Sequence, residues 1–321
     1  MYGDWSTMRD ICRVLGGDFI SLNDANVLNE IFHYVHINGY RDVSYWVGAS
    51  DEGEEGHWMW VDNINVHMNT PLWGDLVYHG VQEPTGGALE NCAVLNHHDD
   101  FYMHDVNCSE AYYILCEASP AGCEEACNEA CNEACNEACN EACNEACNEA
   151  CNEACNEACN EAYYEACNEA CNEACNITTS TVTTLECSFP YEDIGGRCVL
   201  VVSPSNGTWW EQRRLCELLN GHMLKLNDAN LLGAIYDYIV AQGLGDYSVY
   251  IGASDNQQEG DWLWLDGDSV NMGTPFWGNI GFDFQEPSGG ESENCGCLYS
   301  PDHFFIHDVS CDNLMGVICE Y

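Results

Sequence analysis

Thirteen cysteines recur at four-residue spacing between Cys123 and Cys175, in runs of "CNEACNEACNEA" that place an acid two residues after nearly every thiol. The chemistry open to thiols at that density is disulfide formation, so the question is which of them can meet. On a helix, residues four apart hold their β-carbons about 5–6 Å apart, whereas a disulfide wants about 3.5–4.5 Å. Bonding along one helix is strained, and bonding outward to another copy of the tract is relaxed. An odd number of tract cysteines also cannot all pair within one chain. Tyr163 and Tyr164 replace Cys and Asn without shifting the four-residue phase, so one link is skipped and the register is kept.

Ala and Glu favour a helix and Asn and Cys do not. At about 100° per residue the sulfurs would advance by about 40° per repeat, a slow spiral. Glu four residues from Glu repels by roughly 0.2–0.5 kcal/mol per pair. A strand would put Cys and Glu on one face, but Ala, Asn and Glu are all poor strand formers. The pattern therefore predicts a helical stalk, stitched covalently to its neighbours, with a disordered low-complexity spacer as the alternative.

The net charge of -47, with Lys225 the only lysine, repels nucleic acid and anionic lipid and favours multivalent cations. The cysteine usage fits an oxidising, extracellular and secreted setting. No run of about eighteen apolar residues is present to span or insert into a membrane. No histidine stands beside a recognisable nucleophile motif, and neither H-E-x-x-H nor a phosphate-cradling glycine loop occurs. These features describe a protein that is not an enzyme.

The residues flanking the tract are duplicated. "GDWSTMRDIC" from Gly3 matches "GTWWEQRRLC" from Gly207, "LNDANVLNEIFHYV" matches "LNDANLLGAIYDYI", and "QEPTGGALENC" matches "QEPSGGESENC". The organisation is a head over 1–118, the repeat over 119–176, a Thr-rich linker over 177–186, and a second head over 187–321. Apolar residues at three-and-four spacing predict helices over Met8–Leu15 and Ala25–Val35, and over Gln212–Leu219 and Ala229–Val240. Short Trp-, Tyr- and Val-rich runs follow, punctuated by Gly, Asn and Pro, and predict strands and loops. Helices first and strands later make each head α+β.

The "WVGA/YIGA" segments, the "E-P-x…E-x-C" loops and the closing "ILCE/VICE" strands resemble the C-type lectin-like domain family, with wording most like its secreted arthropod members. The resemblance covers both heads and leaves the repeat outside. It implies disulfides Cys12–Cys116 and Cys92–Cys108 in head one, and Cys216–Cys319 and Cys295–Cys311 in head two. Cys187–Cys198 would close the family's optional N-terminal hairpin. Closing a loop of about a hundred residues stabilises a domain by roughly 4 kcal/mol. Cys297 is left over, as a buried thiol or as half of an extra disulfide.

The resemblance also implies calcium, held in sugar-binding members by carboxylates and amides that bond the glycan as well. Glu83, Glu90 and Asp105 match that set, as do Glu286, Glu293 and Asp308. Thr85 and Ser288 stand where one amide is expected, and His104 and His307 where the other is. A hydroxyl is a weaker calcium ligand than an amide, and an imidazole a poor one. A second calcium position matches at Asp51 with Glu55 and at Asp255 with Glu259. The Glu83–Pro84 and Glu286–Pro287 bonds should be cis. Asn176-Ile-Thr and Asn206-Gly-Thr are glycosylation acceptors, whereas Asn107-Cys-Ser has its cysteine in an expected disulfide.

Two functions follow. One is a calcium-binding structural subunit of an extracellular fibre, assembled with copies of itself through the repeat. The other is a calcium-dependent lectin made multivalent for glycans by the repeat. Head two opens with "CSFPYEDIGGRCVLVV", which resembles the family's first strand. Head one has only Met1 and Tyr2 at that place, after no signal peptide. The edge Tyr113–Glu117 should then be unpaired, completed either by residues of a longer natural chain or by a strand from a neighbour.

Overall fold

A computed structural model describes residues 2–74, 82–118, 187–279 and 285–321. The repeat, the Thr-rich linker and Asn176 lie outside the described residues. Both heads belong to one compact unit.

Head one runs β1 (Tyr2–Gly3), α1 (Trp5–Val14), β2 (Gly17–Phe19), α2 (Asn26–Ile37), β3 (Tyr45–Ser50), β4 (Met59–Trp60), β5 (Cys92–Asn96), β6 (Tyr102–Val106), β7 (Tyr112–Ile114) and β8 (Cys116–Ala118). Head two runs β9 (Glu192–Ile194), β10 (Arg197–Gly207), α3 (Trp209–Leu218), β11 (His222–Met223), α4 (Ala229–Ala241), β12 (Val249–Ser254), β13 (Leu263–Trp264), β14 (Cys295–Leu298), β15 (Ile306–Val309) and β16 (Met315–Glu320). The heads are α+β. The first sheet is ordered β1-β7-β3-β5-β6 with β4 on β3. The second is ordered β15-β14-β12-β16-β10-β9, with β11 on β16 and β13 on β12.

The first helix of each head starts a turn earlier than the predicted Met8 and Gln212, at Trp5 and Trp209. Asp4 accepts from the Thr7 amide at 3.0 Å ahead of α1, and Thr208 and Glu211 form a reciprocal capping box ahead of α3. The buried stripes also begin there, at Trp5 with Met8 and Cys12 and at Trp209 with Gln212 and Cys216, so cap and stripe agree on the helix starts. Each helix is then pinned to its sheet by one tryptophan. The indole N–H of Trp5 donates to the Val47 carbonyl and that of Trp209 to the Ile251 carbonyl, both at 3.0 Å. Disulfides join Cys12 to Cys116, Cys92 to Cys108, Cys187 to Cys198, Cys216 to Cys319 and Cys295 to Cys311.

The heads bury a common apolar core that includes Leu28, Phe32, Trp73 and Phe101 of the first and Leu231, Phe276, Trp277 and Phe305 of the second. Their contacts are reciprocal. Asn230 accepts from the Ala25 amide at 3.0 Å and donates to Asp24 at 2.9 Å. Asn26 accepts from the Ala229 amide at 2.9 Å and donates to Asp228 at 3.1 Å. Each copy of "LNDAN" thus caps the other head's second helix. Thr70 donates to the His303 carbonyl while Thr274, its counterpart, donates to the Asp100 carbonyl. Tyr102 and its counterpart Phe305 stack at 4.6 Å between ring centres. Reciprocity of this kind marks an isologous interface, here made by two halves of one chain. Gly273 is required within it, because its φ is +83° and the Phe32 ring lies where a β-carbon would be.

Candidate functional site

The loop between β4 and β5 folds back on β6, and its counterpart in head two folds back on β15. The Glu83 amide donates to Gly74 O at 2.9 Å, and the Glu286 amide to Gly278 O at 2.9 Å. The bonds Glu83–Pro84 and Glu286–Pro287 are cis. Past each turn, Thr85 and Gly86 donate backbone N–H to the Asp105 carboxylate at 2.9 and 2.6 Å. Ser288 and Gly289 do the same to Asp308 at 2.9 and 2.7 Å. Glu90 and Glu293 follow single 3-10 turns, at Gly87–Leu89 and Gly290–Ser292, and their carboxylates lie over Gly86 and Gly289. Glu83, Glu90 and Asp105, and likewise Glu286, Glu293 and Asp308, are therefore gathered around one loop.

The two histidines decide how that charge is held. His104, on β6, is 8% exposed and places Nε2 2.6 Å from Asp99 and Nδ1 3.3 Å from Glu83. His307 repeats this with Asp302 at 2.5 Å and Glu286 at 3.3 Å. Both ring nitrogens are thus directed at carboxylates. Gly74 and Gly278 let the pairs form, since a β-carbon at either would collide with the Asp carboxylate and the imidazole. Across the head–head interface, Asn279 donates to the other oxygen of Asp99.

Burial lowers an imidazole pKa, but here Asp99 and Glu83 outweigh it and raise His104 to about 9. Asp302 and Glu286 likewise raise His307 to about 9. Burial, and then contact with Glu83, raises Asp105 to about 7 against the two backbone N–H groups. Asp308 is raised to about 7 in the same way by burial and Glu286. Around neutral pH each site therefore holds an imidazolium between two carboxylates, with a proton partly retained on the adjacent pair. In head one the Thr85 hydroxyl completes Glu83 by donating at 2.9 Å. In head two Glu286 Oε2 is buried without such a donor.

The second position is built differently. Asp51 accepts from the Gly56 amide at 2.8 Å through one oxygen, and Asp255 from Gly260 at 2.8 Å. The other oxygens, Asp51 Oδ1 and Asp255 Oδ1, are buried with no hydrogen-bond partner, and so are Asn91 Oδ1 and Asn294 Oδ1. Backbone pairing brings these residues together, because the Asp51 amide donates to Asn91 O and the Asp255 amide to Asn294 O. Glu55 and Glu259 approach Gly87 and Gly290 of the adjoining turn. A buried oxygen left unmatched costs about 1–3 kcal/mol, and a hard cation is what a set of bare carboxylate and amide oxygens fits. Among the described residues, no group of three or more His, Cys, Asp or Glu is already arranged to hold a metal ion.

Asn91, Asn294, Asp99 and Asp302 escape a motif search. Their one signal in the sequence is that each is retained in both copies, in "ENC" and at the fifth residue before each histidine. Cys297 is fully buried on β14 and is a free thiol among the described residues. Burial, then the nearby Asp308 and Glu286, push it well above the ordinary thiol range, so it is an inert core residue. Alkylation of the native protein followed by peptide mapping should leave Cys297 unlabelled until denaturant is added. Rapid native labelling would show that β14 is not packed as described. Asn206 is exposed on β10.

The model of the lectin C-type domain matches residues 3–118 and again 205–321. A perlucin-like protein of Mytilus galloprovincialis is 26% identical over 118 residues, covering 36% of this chain and 72% of its own. C-type lectin domain family 17, member A of Homo sapiens is 32% identical over 140 residues, covering 43% of this chain but 32% of that protein. Among solved structures, the mouse scavenger receptor C-type lectin carbohydrate-recognition domain is 24% identical with a TM-score of 0.35, covering 42% of this chain and 98% of that one. With two matched regions that together take in most of its length, the chain belongs to the lectin C-type domain family.

Proposed function

We propose that the chain is a non-enzymatic structural subunit of an extracellular assembly, in which calcium braces the heads instead of presenting a sugar. The observation that carries this is the commitment of the loop's own ligands, complete for Glu83, Asp105 and His104 in head one and repeated in head two except at Glu286 Oε2. Glu83 is engaged by His104 and Thr85, Asp105 by two backbone amides, and His104 by two carboxylates. An imidazolium already supplies the positive charge that the loop needs. Glu286 Oε2 apart, the bare oxygens of these loops are at Asp51 and Asn91, and at Asp255 and Asn294, with Glu55 and Glu259 beside them. Calcium there would tie the two limbs of each loop together and satisfy oxygens that otherwise stay unmatched. The repeat cysteines would supply covalent links between copies.

Titration calorimetry on the full chain should give one chelator-reversible calcium site per head, lost with Asp51→Asn plus Asn91→Ala in head one and retained with Glu90→Gln. A glycan array probed with and without calcium should stay blank. Non-reducing electrophoresis should show species above monomer that collapse with reductant. A clean monomer in both lanes would remove the assembly half of the proposal. Calcium-dependent glycan signal would instead favour the second reading, glycan binding, which rests on Glu83, Glu90 and Asp105 being gathered around one loop.

A further inference from the structure

Lysine and arginine together number 7 against 54 acids, and head two holds Arg197, Arg213, Arg214 and Lys225 of them. All of these meet at one corner of that head. Arg197 donates to the Lys225 carbonyl at 3.1 Å, and Lys225 pairs with Asp266 at 2.6 Å and Asp268 at 2.5 Å. Arg213 and Arg214 share Glu217 at 3.4 and 2.9 Å. The same corner contains a cavity of about 290 Å³ whose lining includes Arg213, His222, Lys225, Gly252, Trp264 and Leu265. The two acids of its lining, Glu217 and Asp266, are those already engaged by these cations. Apolar surface with a few convergent polar groups is the make-up of a small-ligand pocket.

The same ground in head one is closed from within. Arg9, the counterpart of Arg213, makes a two-point pair with Asp18, Nε at 2.8 Å and Nη2 at 2.9 Å. Its Nη2 also reaches the Val61 carbonyl at 3.5 Å. The Val61 side chain packs down on Gly48, where a β-carbon would come within 2.8 Å of it. Head two keeps the cation and loses the carboxylate. Both arginines lie over the tryptophan that pins their helix, Arg9 at 5.4 Å from Trp5 and Arg213 at 5.9 Å from Trp209. His222, however, stands in place of Asp18. Arg213 therefore has the single contact with Glu217, and its side chain is 41% exposed where that of Arg9 is 20%. Leu265, in place of Val61, stands farther back, 3.5 Å from where a β-carbon on Gly252 would be.

We infer that this cavity of head two binds a small organic carboxylate. The ligand's carboxylate takes the place that the Asp18 carboxylate holds in head one, bonded by the Arg213 guanidinium, and its apolar body lies against Trp264 and Leu265. A guanidinium offers five N–H donors in a fork that matches a carboxylate, and among the described residues Arg213 spends them on one carboxylate contact. Imidazole at position 222 removes the arginine's internal ligand and also the negative charge that would repel an external one. Gathering the basic residues of head two here makes this corner far less negative than a chain of net charge -47 is on average. None of these residues belongs to the calcium positions, so the site is independent of calcium.

The probe is benzoate, titrated into the full chain in the presence of chelator and followed by amide chemical shifts. Saturable shifts are expected at Leu224, Lys225 and Gly252, and none at their head-one counterparts Ile20, Ser21 and Gly48. Benzamide keeps the ring without the charge and should bind about tenfold more weakly, as loss of a charge-assisted hydrogen bond requires. Sulfate keeps charge without the ring and should also bind more weakly than benzoate. Arg213→Gln, checked by melting for an intact fold, should weaken benzoate by about tenfold as well. His222→Asp should abolish saturable binding without lowering the melting temperature, because it gives Arg213 the internal carboxylate of head one. No saturable shift at Leu224, Lys225 and Gly252 overturns the proposal, as do equal shifts at Ile20, Ser21 and Gly48. Benzamide or sulfate binding as tightly as benzoate, or undiminished benzoate binding by either variant, also overturns it.

Discussion

Replacing His104 with alanine is expected to cost head one about 3–5 kcal/mol in the absence of calcium, because it leaves Asp99 and Glu83 buried and facing each other without a cation. His307→Ala should do the same to head two through Asp302 and Glu286. Added calcium should return part of that loss, since the vacated place is walled by carboxylate oxygens. His104→Asn should recover more than alanine does, because an amide oxygen is a calcium ligand. The wild type, measured in chelator, should lose stability as the pH is raised. A histidine raised from 6.5 to about 9 contributes stability that is full below pH 6.5 and gone above about 9. The raised Asp105 and Asp308 act in the same sense, adding a cost that grows between pH 3.8 and about 7. Melting curves should therefore fall steadily from about pH 6 to pH 9.5, and the double histidine variant should lose the part above 6.5. A flat profile over that range, or a His104→Ala variant as stable as wild type, would show that the imidazole does not bind these carboxylates together.

Tyr102→Ala should be as damaging, and for both heads at once. The ring is buried against Phe305, and its hydroxyl donates to the Trp277 carbonyl of the other head at 2.6 Å. Truncation opens a cavity in the shared core and orphans a buried carbonyl, at about 3–5 kcal/mol. The wild-type heads, sharing that core, should melt in one transition. In the variant the coupling is weakened, and calorimetry should resolve two transitions. Phe305→Ala removes the same stacking from the other side, so the double variant should cost clearly less than the sum of the singles. Strict additivity, or a wild type that already melts in two separate steps, would mean that the interface contributes little.

Much of each head was legible from the chain alone. The three-and-four spacing located four helices, and the duplicated motifs gave the domain class and brought Glu83, Glu90 and Asp105 to one loop through a resemblance carried by local wording. Local signals have local causes: a capping residue, an apolar stripe and a proline after an acid act over a few positions. The helix starts were missed by a turn because Trp5 and Trp209, the first members of each buried stripe, directly follow the capping residues Asp4 and Thr208.

What the tertiary structure decided is which repeated segments face each other. "LNDAN" occurs twice in the sequence, and only folding shows that each copy caps the other's helix across more than two hundred residues. The partners of His104 lie five residues before it, on the far side of a turn, and twenty-one before it, on another loop. No periodicity relates such positions, since their meeting depends on how β6 and the long loop pack. Among the described residues, the contrast between a fully buried Val317 and a half-buried Ile114 has the same origin. The two matching strands, "YYILCE" and "MGVICE", differ in burial because among the described residues a separate segment covers the second more fully than the first, and coverage is a property of the packed body rather than of either strand's residues.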